Sequence, residues 1–113
     1  MSTAQQAPGI NRVDLQREDL SIPGREVIQN RVEITPEAPA YRHFHYGEEI
    51  IYVLEGELEY EIEGVVRRVK AGDALTVPAQ AVHSVVNVGD GSGAELATYI
   101  VEKGKPLITL AEN

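Results

Sequence analysis

From Glu26 onward the chain never runs far without a breaker. The stretches EVIQNRVEI, GEEIIYVLEG, ELEYEIEG, VVRRV, ALTVP, VHSVVNV and ELATYIVEK are rich in β-branched residues. Gly, Pro and Asp punctuate them, as at Pro36, Glu55-Gly56, Glu63-Gly64, Ala71-Gly72-Asp73 and Gly89-Asp90-Gly91. No window sustains a helical period, and short strands at this spacing predict an all-β sandwich or barrel. A chain of 113 residues supports one modest core. The strands are therefore expected to form a single domain over residues 13–113, behind a small, polar, flexible tail at 1–12.

Two local patterns refine this reading. Glu57, Glu59, Glu61 and Glu63 alternate with Leu58, Tyr60 and Ile62, so one side of that strand faces water and the other faces the core. The carboxylate row reads as a solvated face that also discourages edge pairing, not as a calcium site. Glu63-Gly64 between two strands fits a tight hairpin. Upstream, VDLQREDLSIPGR shows no clean period and carries a turn signal at Pro23-Gly24.

The segment YRHFHYGEEIIYVLEG holds two of the three histidines of the chain, and the third is His83. Side chains of a strand alternate between faces, so His43 and His45 point the same way. Glu49 returns to that face after a bend at Gly47, while Glu48 points away. His83 opens another strand after Pro78. Three imidazoles and one carboxylate suit a first-row divalent ion (Fe, Mn, Ni, Zn, Co or Cu) better than calcium, which prefers oxygen. With no cysteine in the chain, a closed structural zinc site is disfavoured. Four protein ligands leave one or two coordination positions for water or substrate. Neutral imidazole binds the ion, so affinity is expected to fall as pH drops through the histidine range near ~6.5.

These residues resemble the two motifs of the cupin superfamily, in its small single-domain microbial form. His43-x-His45, three residues, Glu49, six residues and Gly56 fit the first motif, with Glu37 in place of its leading glycine. Gly72, Pro78, His83 and Asn87 fit the second, with Gln80 in place of its inner glycine. The resemblance implies a double-stranded β-helix, a jelly-roll barrel holding the metal inside. It also implies His43, His45, Glu49 and His83 as ligands, Asn87 as a support of the barrel, and Gly56 and Gly72 as turn residues. A glycine at position 80 can take positive φ, so Gln80 puts that turn in question. The resemblance further implies a homodimer, with segment 13–35 as the candidate contact against the alternative that it packs on its own barrel.

Fold does not give function. The favoured expectation is a metal-dependent, dioxygenase-like enzyme acting on a small, partly apolar molecule, with Glu49 as ligand and as catalytic acid or base. The alternatives are a ligand-binding or sensing module without turnover, and a metal-dependent isomerase or lyase. Tyr41 shares the parity of His43 and is expected in the pocket; Ile51, Val53, Val77 and Val85 suggest apolar walls, though ordinary core is the favoured reading for each. Arg42 is expected to face outward. A buried arginine near the metal would indicate a carboxylate substrate, but parity places none there. The net charge of −8 and the lack of a basic cluster argue against nucleic acid and anionic membranes. The absence of cysteine, of a signal-peptide core and of a long apolar run makes the cytoplasm the expected location.

Overall fold

The computed structural model describes residues 7–112. Ten strands form among them: β1 Ile10–Asp19, β2 Arg25–Ile34, β3 His43–Phe44, β4 Gly47–Glu55, β5 Glu57–Ile62, β6 Val65–Lys70, β7 Ala74–Val77, β8 His83–Asn87, β9 Gly93–Glu102 and β10 Thr109–Leu110. They make two five-stranded antiparallel sheets, ordered β1-β2-β9-β4-β7 and β10-β3-β8-β5-β6. This is the all-β jelly-roll arrangement of a double-stranded β-helix. No helix among these residues is long and apolar enough to cross a membrane.

The period-2 pattern decides what each strand buries. Along β2 every second residue from Glu26 to Ile34 is buried. Along β4 Gly47, Glu49, Ile51 and Val53 turn inward while Glu48, Ile50 and Tyr52 face out. Along β9 Glu95, Ala97, Tyr99 and Val101 are buried. Ile34, Ile51, Val53, Leu58, Tyr60 and Tyr99 form the centre of the core. Ile51, Val53 and Val77 therefore pack between the sheets and do not line a pocket, whereas Val85 does face the cavity. The favoured core reading thus holds for three of the four, and the pocket-wall alternative for Val85.

Turn chemistry follows the sequence closely. The β5–β6 hairpin turns at Glu63 and Gly64 with φ of 49° and 83°. Positive φ at both central residues gives the strand ends the twist that a two-residue hairpin requires. Gln80 also takes positive φ, 62°, and its N–H donates to the carbonyl oxygen of His45 at 2.9 Å. The turn that the motif assigns to glycine is thus made by glutamine, and it still fastens the histidine segment.

The amino-terminal boundary differs from expectation. Pairing with β2 begins at Ile10↔Ile34, so residues 10–12 belong to the barrel and not to a tail. Residues 1–6 of that expected tail lie outside the described residues. The segment after residue 12 looked aperiodic because β1 carries a register shift between Asp14 and Gln16 and lies at a sheet edge, with most of its residues exposed. In segment 13–35, Ile28 enters its own core while Val13, Leu15 and Ile22 remain exposed.

Asn87 closes the barrel from within. Its amide nitrogen donates to the carbonyl oxygens of Ile34, at 2.8 Å, and Gly91, at 2.9 Å. Its side-chain oxygen accepts from the Gly89 N–H at 2.9 Å. Asn87→Ala leaves these backbone groups without partners and is expected to cost roughly 2–4 kcal/mol, read as a lower midpoint in urea unfolding. Because Asn87 holds the barrel and not the ligand cluster, metal content per folded molecule is expected to stay unchanged.

Candidate metal centre

The ligand cluster forms where the chain crosses from one sheet to the other. β3 lies beside β8, with His43 directly opposite His83. After Phe44 the chain leaves that sheet and re-enters the other at Gly47, opposite Val101. Only glycine fits there: a Cβ would lie 1.9 Å from the carbonyl oxygen of Ile100. This close approach makes the bend that carries Glu49 back to the face of His43 and His45. Glu48 points to solvent, as parity requires.

Each imidazole is oriented by a backbone carbonyl. His43 Nδ1 lies 2.7 Å from the Tyr41 oxygen, His45 Nδ1 2.6 Å from that of Leu107, and His83 Nδ1 2.9 Å from that of Ala81. A carbonyl only accepts, so each Nδ1 carries the proton and each neutral ring presents an unprotonated Nε2. The Nε2 atoms of His45 and His83 lie 3.1 and 3.0 Å from Glu49 Oε1. Ligand atoms from all four residues lie within 4.8 Å of one another. Lone pairs facing a carboxylate repel unless a proton or a cation lies among them. A separation of ~3 Å is that of neighbouring ligand atoms around one first-row ion. The donor set fits a divalent transition metal.

Burial pushes the His43 imidazolium down to about 4, and the neighbouring His83 and His45 push in the same direction. Burial alone would raise the Glu49 carboxyl, but its contact with the Nε2 atoms of His45 and His83 holds it below the usual carboxylate range once a proton or cation lies between them. His43 is thus biased toward neutral imidazole and Glu49 toward carboxylate, the forms that bind metal. For His43, competition by protons begins lower than the ordinary histidine value.

A second buried polar group stands beside the first. The Tyr60 hydroxyl donates to Glu95, and Arg12 Nη1 donates to the Tyr99 hydroxyl at 2.8 Å and to Asn30 Oδ1 at 3.2 Å. Burial and the charge of Glu49 push the Glu95 carboxyl up to about 8, against the opposing pull of Tyr60 and Arg12. Burial and the Glu95 charge likewise raise the Tyr60 phenol. The Tyr60 phenol therefore keeps its proton at neutral pH, and Glu95 is biased toward its protonated form.

His43, Glu49 and His83 share a cavity of about 260 Å³ with Arg12, Tyr60 and Glu95. Tyr41 lines it as expected, its hydroxyl donating to the Pro8 oxygen at 3.1 Å, while Arg42 is exposed. His45 lies deeper, its ring 4.8 Å from that of Tyr99. Sequence reasoning did not single out Arg12, Glu95 or Tyr60 as site residues. For two of them the signal was present, since Glu95 is in phase with Ala97, Tyr99 and Val101, and Tyr60 with Leu58. A glutamate in the buried phase of a strand marks a polar interior.

The Cupin domain family matches residues 30–102. The chain belongs to the cupin family. Among curated proteins it is 41% identical over 49 residues to polyketide synthase CurC of Streptomyces cyaneus, a match covering 42% of this chain and 32% of that protein. The matched region spans about a third of that relative's length. The cupin barrel also superposes on the polyketide cyclase RemF of Streptomyces resistomycificus (TM-score 0.72, 24% identity, 95% of this chain and 74% of the other). An oxalate oxidase in complex with glycolate matches with TM-score 0.73 and 25% identity, over 98% of this chain and 62% of the other.

The pKa directions fix how the metal-free protein responds to acid. His43 binds its proton more weakly when folded than when unfolded, so the unfolded chain takes up protons first. Stability is expected to fall as pH drops from about 6.5 to about 4, by on the order of 3 kcal/mol at the acid end. Glu49, held low in the folded state, adds a further loss below the ordinary carboxylate range. Thermal midpoints measured in chelator across this window check the slope, which His43→Gln should flatten above pH 5.

Proposed function

We propose that this cupin is a metal-dependent enzyme acting on a small, partly apolar organic molecule. The observation that carries the reading is the placement of the ligand cluster on the wall of an apolar-lined cavity, where it can meet a ligand. A site with only a structural duty needs no such opening. His43, His45 and His83 would hold the ion through Nε2, with Glu49 as the fourth ligand. The bound ion would supply Lewis acidity toward a substrate oxygen and, if redox-active, electron transfer to dioxygen.

The chain's own groups then divide the work. The carbonyl-tied imidazoles fix the ligand directions. Glu49, whose Oε1 lies 3.1 and 3.0 Å from the Nε2 atoms of His45 and His83, would serve as the fourth ligand and could act as a base toward the substrate. Glu95 and Tyr60 can deliver a proton to a substrate atom beside the ion. The apolar side chains of Ile10, Val32, Val85, Ile108 and Leu110 exclude water from the substrate body. Dioxygenase-like cleavage is one chemistry such a site can run. A buried Glu95 biased toward its protonated form beside the ligand cluster supports a second, non-oxidative reading in which a polarised carbonyl exchanges protons, as in an isomerase or lyase. A homodimer through the exposed residues of β1 belongs to the same proposal.

Elemental analysis of the untagged protein is expected to find close to one equivalent of a transition metal, lost in a His43→Ala/His83→Ala variant. Absence of metal after anaerobic reloading would sink the enzyme reading. Dioxygen consumption by the iron-loaded protein across catechols, diketones and flavonols separates the chemistries: uptake supports the oxygenase. Deuterium exchange into a diketone by zinc-loaded protein, lowered at least tenfold in Glu95→Gln, supports the proton-transfer reaction.

A further inference from the structure

Among the described residues, Arg12 is the one strong cation lining the cavity. It sits on the edge strand β1, yet its head group turns inward, in phase with Ile10. Its Nη1 is committed to Tyr99 and Asn30. Among the described residues its Nε and Nη2 make no hydrogen bond. No sealed side-chain nitrogen or oxygen lacks a partner, so these two donors are open to the cavity or to solvent and are not sealed in protein. A guanidinium held by one nitrogen, with its remaining edge free, is a fork for a planar oxyanion.

The charges agree with this direction. With a divalent ion held by the ligand cluster, that ion and one guanidinium would face two carboxylates, Glu49 and Glu95, and the loaded cavity would carry net positive charge whichever state Glu95 adopts. The rest of the molecule is strongly negative, with a formal net charge of −8. An anion is thus favoured in the cavity. Its size is bounded as well, because a volume of about 260 Å³ lies just under the ~300 Å³ at which drug-sized sites begin. One ring or a short chain fits.

We propose that Arg12 anchors a carboxylate, so that the substrate is a small, partly apolar monocarboxylate with its charged end at Arg12 and its body along Val32, Val85 and Leu110. This rests on the reading of the cavity as the substrate site and specifies the class of molecule that enters it. Arg12 acts as a binding residue, and no bond is made or broken at it.

The test is equilibrium binding to the full-length, zinc-loaded protein, followed by NMR shifts or calorimetry. The probes are benzoate and octanoate, each paired with its neutral amide. Each carboxylate is expected to bind at least about tenfold more tightly than its amide. In Arg12→Gln that preference should vanish, with amide affinity and zinc content unchanged. Should Arg12→Gln not fold, Arg12→Lys carries the test: it keeps the charge but loses the fork, and carboxylate affinity is expected to fall several-fold. Failure of both carboxylates to bind, equal binding of acid and amide, or a preference that survives Arg12→Gln overturns the proposal. So does an unchanged carboxylate affinity in Arg12→Lys. Elemental analysis and a parallel titration in chelator keep the two readings apart. A carboxylate preference that depends on Arg12 in protein unable to take up metal would uphold the anchor while removing the enzyme reading.

Discussion

The arrangement of this barrel turns on the bonds that tie each imidazole to a backbone carbonyl. A histidine side chain has two rotatable bonds and two nitrogens, and a ligand cluster fails if either is left free. Here the oxygens of Tyr41, Leu107 and Ala81 take the Nδ1 protons. Ring orientation and tautomer are thus inherited from backbone positions. Leu107 precedes β10, Ala81 precedes β8, and Tyr41 precedes β3. Three connections of the fold therefore converge on one point, and their hydrogen bonds aim the unprotonated nitrogens before any ion arrives.

Such a site requires a polar interior, which is costly unless every group finds a partner. The barrel meets this condition throughout. Glu49 lies between His45 and His83, Glu95 accepts from Tyr60, Asn30 accepts from Arg12 and donates to Asp14, and Glu26 accepts two hydrogen bonds from Arg17, both 2.9 Å. No sealed side-chain nitrogen or oxygen among the described residues is left without a partner. The apolar core of Ile51, Val53, Leu58 and Val77 holds the two sheets together. The polar residues occupy the same inward phase of the strands.

Much of this was legible from the order of residues. Parity alone placed His43, His45 and Glu49 on one face and Glu48 on the other, because the side-chain period of a strand is invariant. It also placed Tyr41 toward the cavity and Arg42 away from it. What parity does not specify is which part of a two-sheet interior is core and which is cavity, so Ile51, Val53, Val77 and Val85 could be read as pocket walls or, by preference, as core, and only Val85 departs from the core reading. β1 was not recognised as a strand, since an edge strand with a register shift shows neither clean alternation nor sustained apolar content. With β1 went Arg12, which the expected tail boundary at residue 12 had set outside the barrel. The residues missed are those whose role depends on partners distant in the chain, as with Arg12 and Tyr99.

The cavity draws its parts from two sources. The candidate ligand residues come from β3, β4, β8 and the short segment at His45, each imidazole tied to a backbone carbonyl. Arg12 and Ile10 come from β1, which borders only β2 and forms the margin of its sheet. Strand exchange or point substitution along that margin can rewrite what the cavity accepts while leaving the inorganic chemistry of its wall untouched. For a protein engineer, β1 is a replaceable selectivity cassette, and the remainder of the barrel is a reusable chassis.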